Sequence, residues 1–228
     1  MERLNKPLAL IIGGSGAIGT AVVQALARRG FAVICTFHRQ QPAAREGNVL
    51  WVRFDAEECV ADEVMEAVNL DTRSLRVLIY LAGVPSKKRT ITDTSVEEFT
   101  RLFQINALGL VTIWRAVANR ARESGARVVV VSSDATRSLG AGNGAYTASK
   151  VALEALALTL AKEEAPSGVR VNVAAPSLVD SSQAVTILAH QGEMDPSAYY
   201  ASLPWGRALT VVEVGEVVAS IVSVPVGK

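Results

Sequence analysis

The sequence is poor in the residues that metal and disulfide chemistry require. Its 228 residues include two cysteines and two histidines. Cys35 lies in an apolar run, Cys59 sits beside two glutamates, and His38 and His190 are far apart. No metal-ligand spacing emerges, and the expectation is two free thiols in a reducing compartment. An excess of charge is lacking too, with 23 basic side chains against 22 acidic ones. The densest basic stretch, SKKR at 86–89, is short and reads as a solvated loop, so nucleic acid is not an expected partner. No apolar run approaches the ~20 residues of a membrane span. The opening MERLNKPLAL lacks the apolar core and small-residue cleavage site of a secretory leader. These absences lead to the expectation of a cytoplasmic protein without a metal and without a membrane partner.

What is present is an alternation of two patterns. With 50% hydrophobic and 20% charged residues the chain is long and apolar enough to bury a substantial core. Short β-branched runs read as strands at 8–12, 32–36, 49–54, 76–80, 126–133 and 169–175, with helical patterns between most of them and a turn-like RQQPAAREGN at 39–48. Strands apolar on both faces imply a sheet covered by helices on both sides. The spacing predicts right-handed βαβ units and hence an α/β fold with a doubly wound parallel sheet, a Rossmann arrangement in a single domain over residues 1–228. Helical patterns at 106–123 and 146–165 carry more apolar surface than one sheet face needs. They read either as deep core or as a subunit interface, and a homodimer or homotetramer is the expectation.

Between the first strand and its helix, Gly14, Gly16 and Gly19 form a G-x-G-x-x-G pattern. Such a turn lets the backbone approach a pyrophosphate, whose charge then faces a helix N-terminus; the alternative is a turn that only closes a βα unit. The second strand ends in Thr36, Phe37, His38 and Arg39. A bare ribose is usually met there by an Asp or Glu. With no carboxylate present, Arg39 would pair with a 2′-phosphate or simply lie on the surface. The expected cofactor is therefore NADP, with NAD as the alternative. Further along, GNGAYTASK puts Tyr146 and Lys150 one helical turn apart on a shared face after a glycine-rich loop.

Taken in order, these motifs resemble the short-chain dehydrogenase/reductase family over nearly the whole chain, with a 3-oxoacyl-reductase-like set. The family's Thr-Gly-x-x-x-Gly-x-Gly loop is matched at Ile12, Gly13, Ala17 and Gly19, with Ile12 for Thr and Ala17 for Gly. Its Asn-Asn-Ala-Gly motif stands as YLAG, keeping Ala82 and Gly83 but replacing both asparagines with Tyr80 and Leu81. Asn106 in INALG matches the family's helix Asn, forty residues before Tyr146, and Ser133 lies thirteen residues before it. Ser132 lacks that spacing. RVNVAAPSLVDS resembles the family's Arg-Val-Asn-x-x-x-Pro-Gly segment, with Ser177 in place of Gly.

The resemblance implies roles. Tyr146 would be the acid/base, Lys150 the cation that lowers its pKa and holds the nicotinamide ribose, Ser133 the donor to the substrate oxygen, and Asn106 the holder of a relay water. The cofactor would be bound by Gly13, Ser15, Gly16, Ile18, Gly19, His38, Arg39, Asp55 (at the adenine), Ala82, Gly83, Tyr146, Lys150, Pro176 and Val179. The chemistry suits the residue types: a carbonyl reduction needs a proton at oxygen, a free phenol titrates near ~10, and an adjacent ammonium stabilises its anion. Singly, Tyr146 reads equally as a core aromatic, Lys150 as a solvated helix residue and either serine as a strand-end cap.

Residues 177–206 read as a substrate lid bearing Val185, Ile187, Leu188, a Met and two Tyr, or else as a structural helix pair. After the closing VPVGK the family's final strand is expected to be absent, through truncation or because the member is short. The implied activity is NADPH-dependent reduction of a ketone or 3-oxoacyl-type carbonyl, or the reverse oxidation of an alcohol. A cofactor-sensing protein without turnover is the alternative, and isomerase or dehydratase chemistry a third reading.

Overall fold

The computed structural model describes residues 6–42, 49–190 and 195–223. Its strands and helices alternate from β1 (Leu8–Ile12) and α1 (Ala17–Arg28) through β2 (Ala32–Phe37), β3 (Val49–Arg53), α2 (Asp62–Leu70) and β4 (Leu75–Tyr80). Next come α3 (Val96–Phe103), a π-helical turn (Gln104–Leu108), α4 (Gly109–Ser124), β5 (Arg127–Val131), α5 (Ala135–Ser138), α6 (Gly144–Glu164) and β6 (Arg170–Ala174). The chain closes with β7 (Val179–Asp180), α7 (Ser182–His190), α8 (Pro196–Ser202), β8 (Leu209–Thr210) and α9 (Val211–Ser223). The six long strands form one parallel sheet in the order β3-β2-β1-β4-β5-β6, and β7 pairs with β8 apart from it.

The side-chain period of two explains why the strands are apolar throughout. Leu8, Leu10, Ile12, Leu78, Tyr80, Val128 and Val130 pack on one face beneath α2, α4 and α6. Ala9, Ile11, Val33, Cys35, Ile79 and Val129 pack on the other beneath α1 and α9. The strand order reverses between β1 and β4, so a crevice opens beyond their carboxyl ends, where ligands of such sheets bind.

Several expected boundaries shift. Ser132 and Ser133 lie beyond β5, since the strand pairs with β6 only from Arg127 to Val131. The helix between β3 and β4 begins only at Asp62, because Cys59 has left-handed backbone (φ 53°) and breaks any earlier turn. The pattern at 106–123 is the later part of a longer helical run from Val96 to Ser124, interrupted by the π-helical turn. α6 buries Leu153, Ala157 and Leu160 yet exposes Val151 and Leu158, while the outward positions of α4 include Arg115 and Asn119. The apolar surplus thus belongs to α6 more than to α4. Among the described residues β6 is one sheet edge and β3 the other; residues 1–5, 43–48, 191–194 (with Met194 of the expected lid) and 224–228 lie outside them.

Candidate active site

A cleft of about 1070 Å³ opens over the carboxyl ends of β1, β2, β4 and β5. Gly13, Ser15, Gly16, Ile18, Gly19, His38, Arg39, Asp55, Ala82, Gly83, Ser133, Tyr146, Lys150, Pro176 and Val179 all line it. The expected residues therefore converge, with one exception. Asn106 is fully buried and lies behind the wall.

The glycine turn is built by close backbone approach. Gly13 has φ +85°, and a Cβ there would lie 2.8 Å from the Ala82 nitrogen, so only glycine joins β1 to β4 in this way. Its N–H donates to Thr36 Oγ1 at 2.9 Å. A hydroxyl from the neighbouring strand thus ties the turn. Gly14 is buried against Cys35 and does not line the cleft; Gly16 does, as the N-cap of α1, and among the described residues no side chain caps that helix. The free N–H groups of its first turn form an anion-binding end.

At the end of β2, His38 Nε2 stands 2.9 Å from Asp55 Oδ2, whose other oxygen accepts from the Glu57 N–H at 2.9 Å. Burial pushes the Asp55 carboxyl upward, but the Glu57 N–H, His38 and Arg53 outweigh it and hold the group below its ordinary range. Asp55 is thus an anchored carboxylate that also positions His38, a pairing with no signature in the sequence. Arg39 is exposed at the same rim.

The proposed proton-handling groups meet near the ends of β5 and α6. Tyr146 and Ser133 line the cleft together, and Ser133 Oγ accepts from the Ala135 N–H at 3.2 Å and donates to Asp134 at 3.4 Å. Ser132 Oγ is buried with no hydrogen-bond partner among the described residues. Lys150 is 4% exposed, donates to the Val131 carbonyl at 3.1 Å, and has its ammonium 5.9 Å from the Tyr146 ring centre.

The electrostatics differ from expectation at the tyrosine. Burial, the largest influence, raises the Tyr146 pKa; the neighbouring Ser133 hydroxyl lowers it and the Asp134 charge raises it further. Lys150 does not depress it in this arrangement, because its ammonium is turned to Val131 and burial brings its own pKa down to about 8. The phenol is held as an acid.

Asn106 clamps rather than faces the cleft. Its Oδ1 accepts from the Val84 N–H at 2.8 Å, and its Nδ2 donates to the Val84 carbonyl at 3.1 Å and to Ser149 Oγ at 2.9 Å. Ser149 Oγ in turn donates to the Tyr146 carbonyl at 2.7 Å. Thr36, Ser149 and Tyr80 are supporting residues that motif spacing does not reveal. In the expected lid, Ile187, Leu188, Tyr199 and Leu203 line the cleft, while Tyr200 bonds Asp180 instead and Val185 is exposed.

Comparison with known proteins agrees with this fold. Residues 7–192 match the family model for short chain dehydrogenase. An uncharacterised oxidoreductase of Methylorubrum extorquens is 29% identical over 98% of this chain and 93% of its own. An NADPH-dependent aldehyde reductase-like chloroplastic protein of Arabidopsis thaliana is 30% identical over 74% of this chain and 71% of its own. The solved structure of gox2181 superposes with a TM-score of 0.85 at 27% identity, covering 98% of this chain and 91% of that one.

Proposed function

Because the chain belongs to the short-chain dehydrogenase family, we propose that this NAD(P)-dependent oxidoreductase is an NADPH-preferring reductase of a ketone or 3-oxoacyl-type carbonyl. The observation that carries the reading is the meeting of Tyr146, Ser133 and Lys150 in one cleft with the glycine turn and the His38–Arg39 rim.

The residues present fit a phosphorylated dinucleotide. The pyrophosphate would rest on the uncapped N-terminus of α1 beside Ser15, Gly16, Ile18 and Gly19. His38 and Arg39 would take a 2′-phosphate, and Phe37 offers a bare ribose no carboxylate. Asp55 would face the adenine. Gly13, Ala82, Gly83, Pro176 and Val179 would flank the remainder, with Lys150 at the nicotinamide ribose. The Arabidopsis relative, named as NADPH-dependent, supports the same preference.

When bound, the reduced nicotinamide supplies the hydride taken by the carbonyl carbon. Tyr146 gives its phenolic proton to the carbonyl oxygen, and Ser133 donates a hydrogen bond to that oxygen and orients it. The raised pKa keeps Tyr146 protonated at neutral pH, the form in which it can donate to the carbonyl oxygen. Lys150, whose ammonium lies 5.9 Å from the Tyr146 ring centre, would stabilise the phenolate left behind once it turns from the Val131 carbonyl. Asn106 Oδ1 and Lys150 Nζ both approach Gly83, and a Cβ there would be 3.3 and 3.1 Å from them. That convergence supports Asn106 as the start of the path that returns a proton. Residues 177–206 would close over the substrate, a role supported by the apolar side chains they lend to the cleft, among them Ile187, Leu188, Tyr199 and Leu203.

The exposed Val151 and Leu158 of α6 support a homodimer or homotetramer, and two free thiols support a cytoplasmic setting. Among the described residues no helix is long and apolar enough to cross a membrane. The test is turnover of small ketones and 3-oxoacyl thioesters with NADPH and with NADH. The account expects kcat/KM at least about tenfold higher with NADPH, falling toward parity in His38→Ala/Arg39→Ala. Preference for NADH would overturn the cofactor assignment, and no turnover of any carbonyl would overturn the activity.

A further inference from the structure

In the helical run from Val96 to Ser124, the π-helical turn directs the Gly109 N–H to the Gln104 carbonyl, five residues back. An α-helix would have sent that N–H to Ile105, four residues back. The Ile105 carbonyl therefore loses its regular helical partner at a buried site, where an unpaired carbonyl is costly. A side chain from another element takes its place. The hydroxyl of Tyr80, at the end of β4, donates to the Ile105 carbonyl at 2.7 Å. Tyr80 is fully buried, and that burial pushes its phenol up and keeps it a donor. Gly109 completes the arrangement, since a Cβ there would overlap the Tyr80 hydroxyl and crowd Ala56.

The residue after Ile105 is Asn106, which clamps Val84 from both sides and reaches Ser149. Ser149 donates to the carbonyl of Tyr146 itself. A continuous series of contacts thus runs from Tyr80 through the π-helical turn, Asn106 and Ser149 to the backbone of the proposed acid. We propose that Tyr80 is a positioning residue for this active site: its hydroxyl holds the π-helical turn, the turn aims Asn106, and Asn106 and Ser149 set the place of Tyr146. Tyr80 touches neither substrate nor cofactor. The inference rests on the function proposed above in taking Tyr146 as the acid.

The test is Tyr80→Phe, which keeps the ring and removes only the hydroxyl. Small displacements of a reacting group cost large factors in rate, so kcat should fall about tenfold while the NADPH Kd, set at the glycine turn, stays within about twofold. Hydrogen exchange should quicken in the peptides spanning 104–110 and 144–150 and stay unchanged in β1 and β5. Gly109→Ala should do less harm in the Tyr80→Phe background than in the wild type, because the overlapping atom is gone. Wild-type kcat in Tyr80→Phe would overturn the proposal, as would exchange at 104–110 and 144–150 that is unchanged, or that quickens only together with β1 and β5. Equal harm from Gly109→Ala in both backgrounds would also count against it. The exchange result decides the matter even if no carbonyl is reduced, an outcome that would sink the proposed function instead.

Discussion

Lys150 shows how function and stability pull apart at a single residue. Burial is the largest influence on its ammonium and brings it from 10.5 to about 8, with Glu154 acting in the opposite direction. Between those two values the unfolded chain holds a proton that the folded chain has released, so stability rises with pH across that window. Below about 8 both states are protonated and the cost of burying the charge is fully present, roughly 3 kcal/mol. Lys150→Met should therefore be more stable at neutral pH by about 1–3 kcal/mol in urea melts and should lose the rise toward pH ~10. Its turnover should fall at least about 100-fold. A variant less stable than wild type at neutral pH would contradict this account of Lys150. At this scale the sequence is legible where chemistry and local spacing coincide, as at Tyr146 and Lys150. Thr36, Tyr80 and Ser149 escape it because their partners lie 23, 25 and 43 residues away, and nothing local marks the pairing. Even at Asn106 the motif finds the residue but not its contacts.

Among the elements, the strands are the most readable, because burial on both faces leaves unbroken β-branched runs. Helix ends are less so. The start of α2 depends on the left-handed backbone at Cys59, which no residue preference announces, and the π-helical turn in QINAL is set by tertiary contacts to Tyr80 and Val84. The segment over the cleft is legible as apolar but not as to which side chains point inward. Tyr199 and Leu203 do so, whereas Tyr200 turns to Asp180. If this segment forms the substrate wall, Leu203→Ala and Tyr199→Ala should raise the carbonyl KM about 5- to 50-fold, the range of one lost apolar contact, with the NADPH Kd unchanged. An unchanged KM in both variants would remove the lid from the substrate site.

For the whole molecule, parity along the strands divides the core into two layers, and the reversal of strand order at β1 and β4 fixes where the cleft opens. Both follow from the spacing of apolar runs, which is why the fold and the place of the site are readable from sequence while the identity of the carbonyl is not. The proposed association rests on α6, which is apolar on its buried face and exposes Val151 and Leu158 on the other. Light scattering should give a dimer or tetramer, and Val151→Glu/Leu158→Glu should shift it toward monomer. A wild-type monomer at micromolar concentration would refute the interface.

The central claim is that Tyr146 delivers the proton in an NADPH-dependent carbonyl reduction. It is tested most directly by following loss of NADPH absorbance with a carbonyl that the wild type reduces, comparing wild type with Tyr146→Phe at matched cofactor saturation. The account predicts an NADPH Kd within about twofold of wild type and a kcat lower by about 100- to 10,000-fold. A Tyr146→Phe enzyme that turns over at the wild-type rate would contradict it.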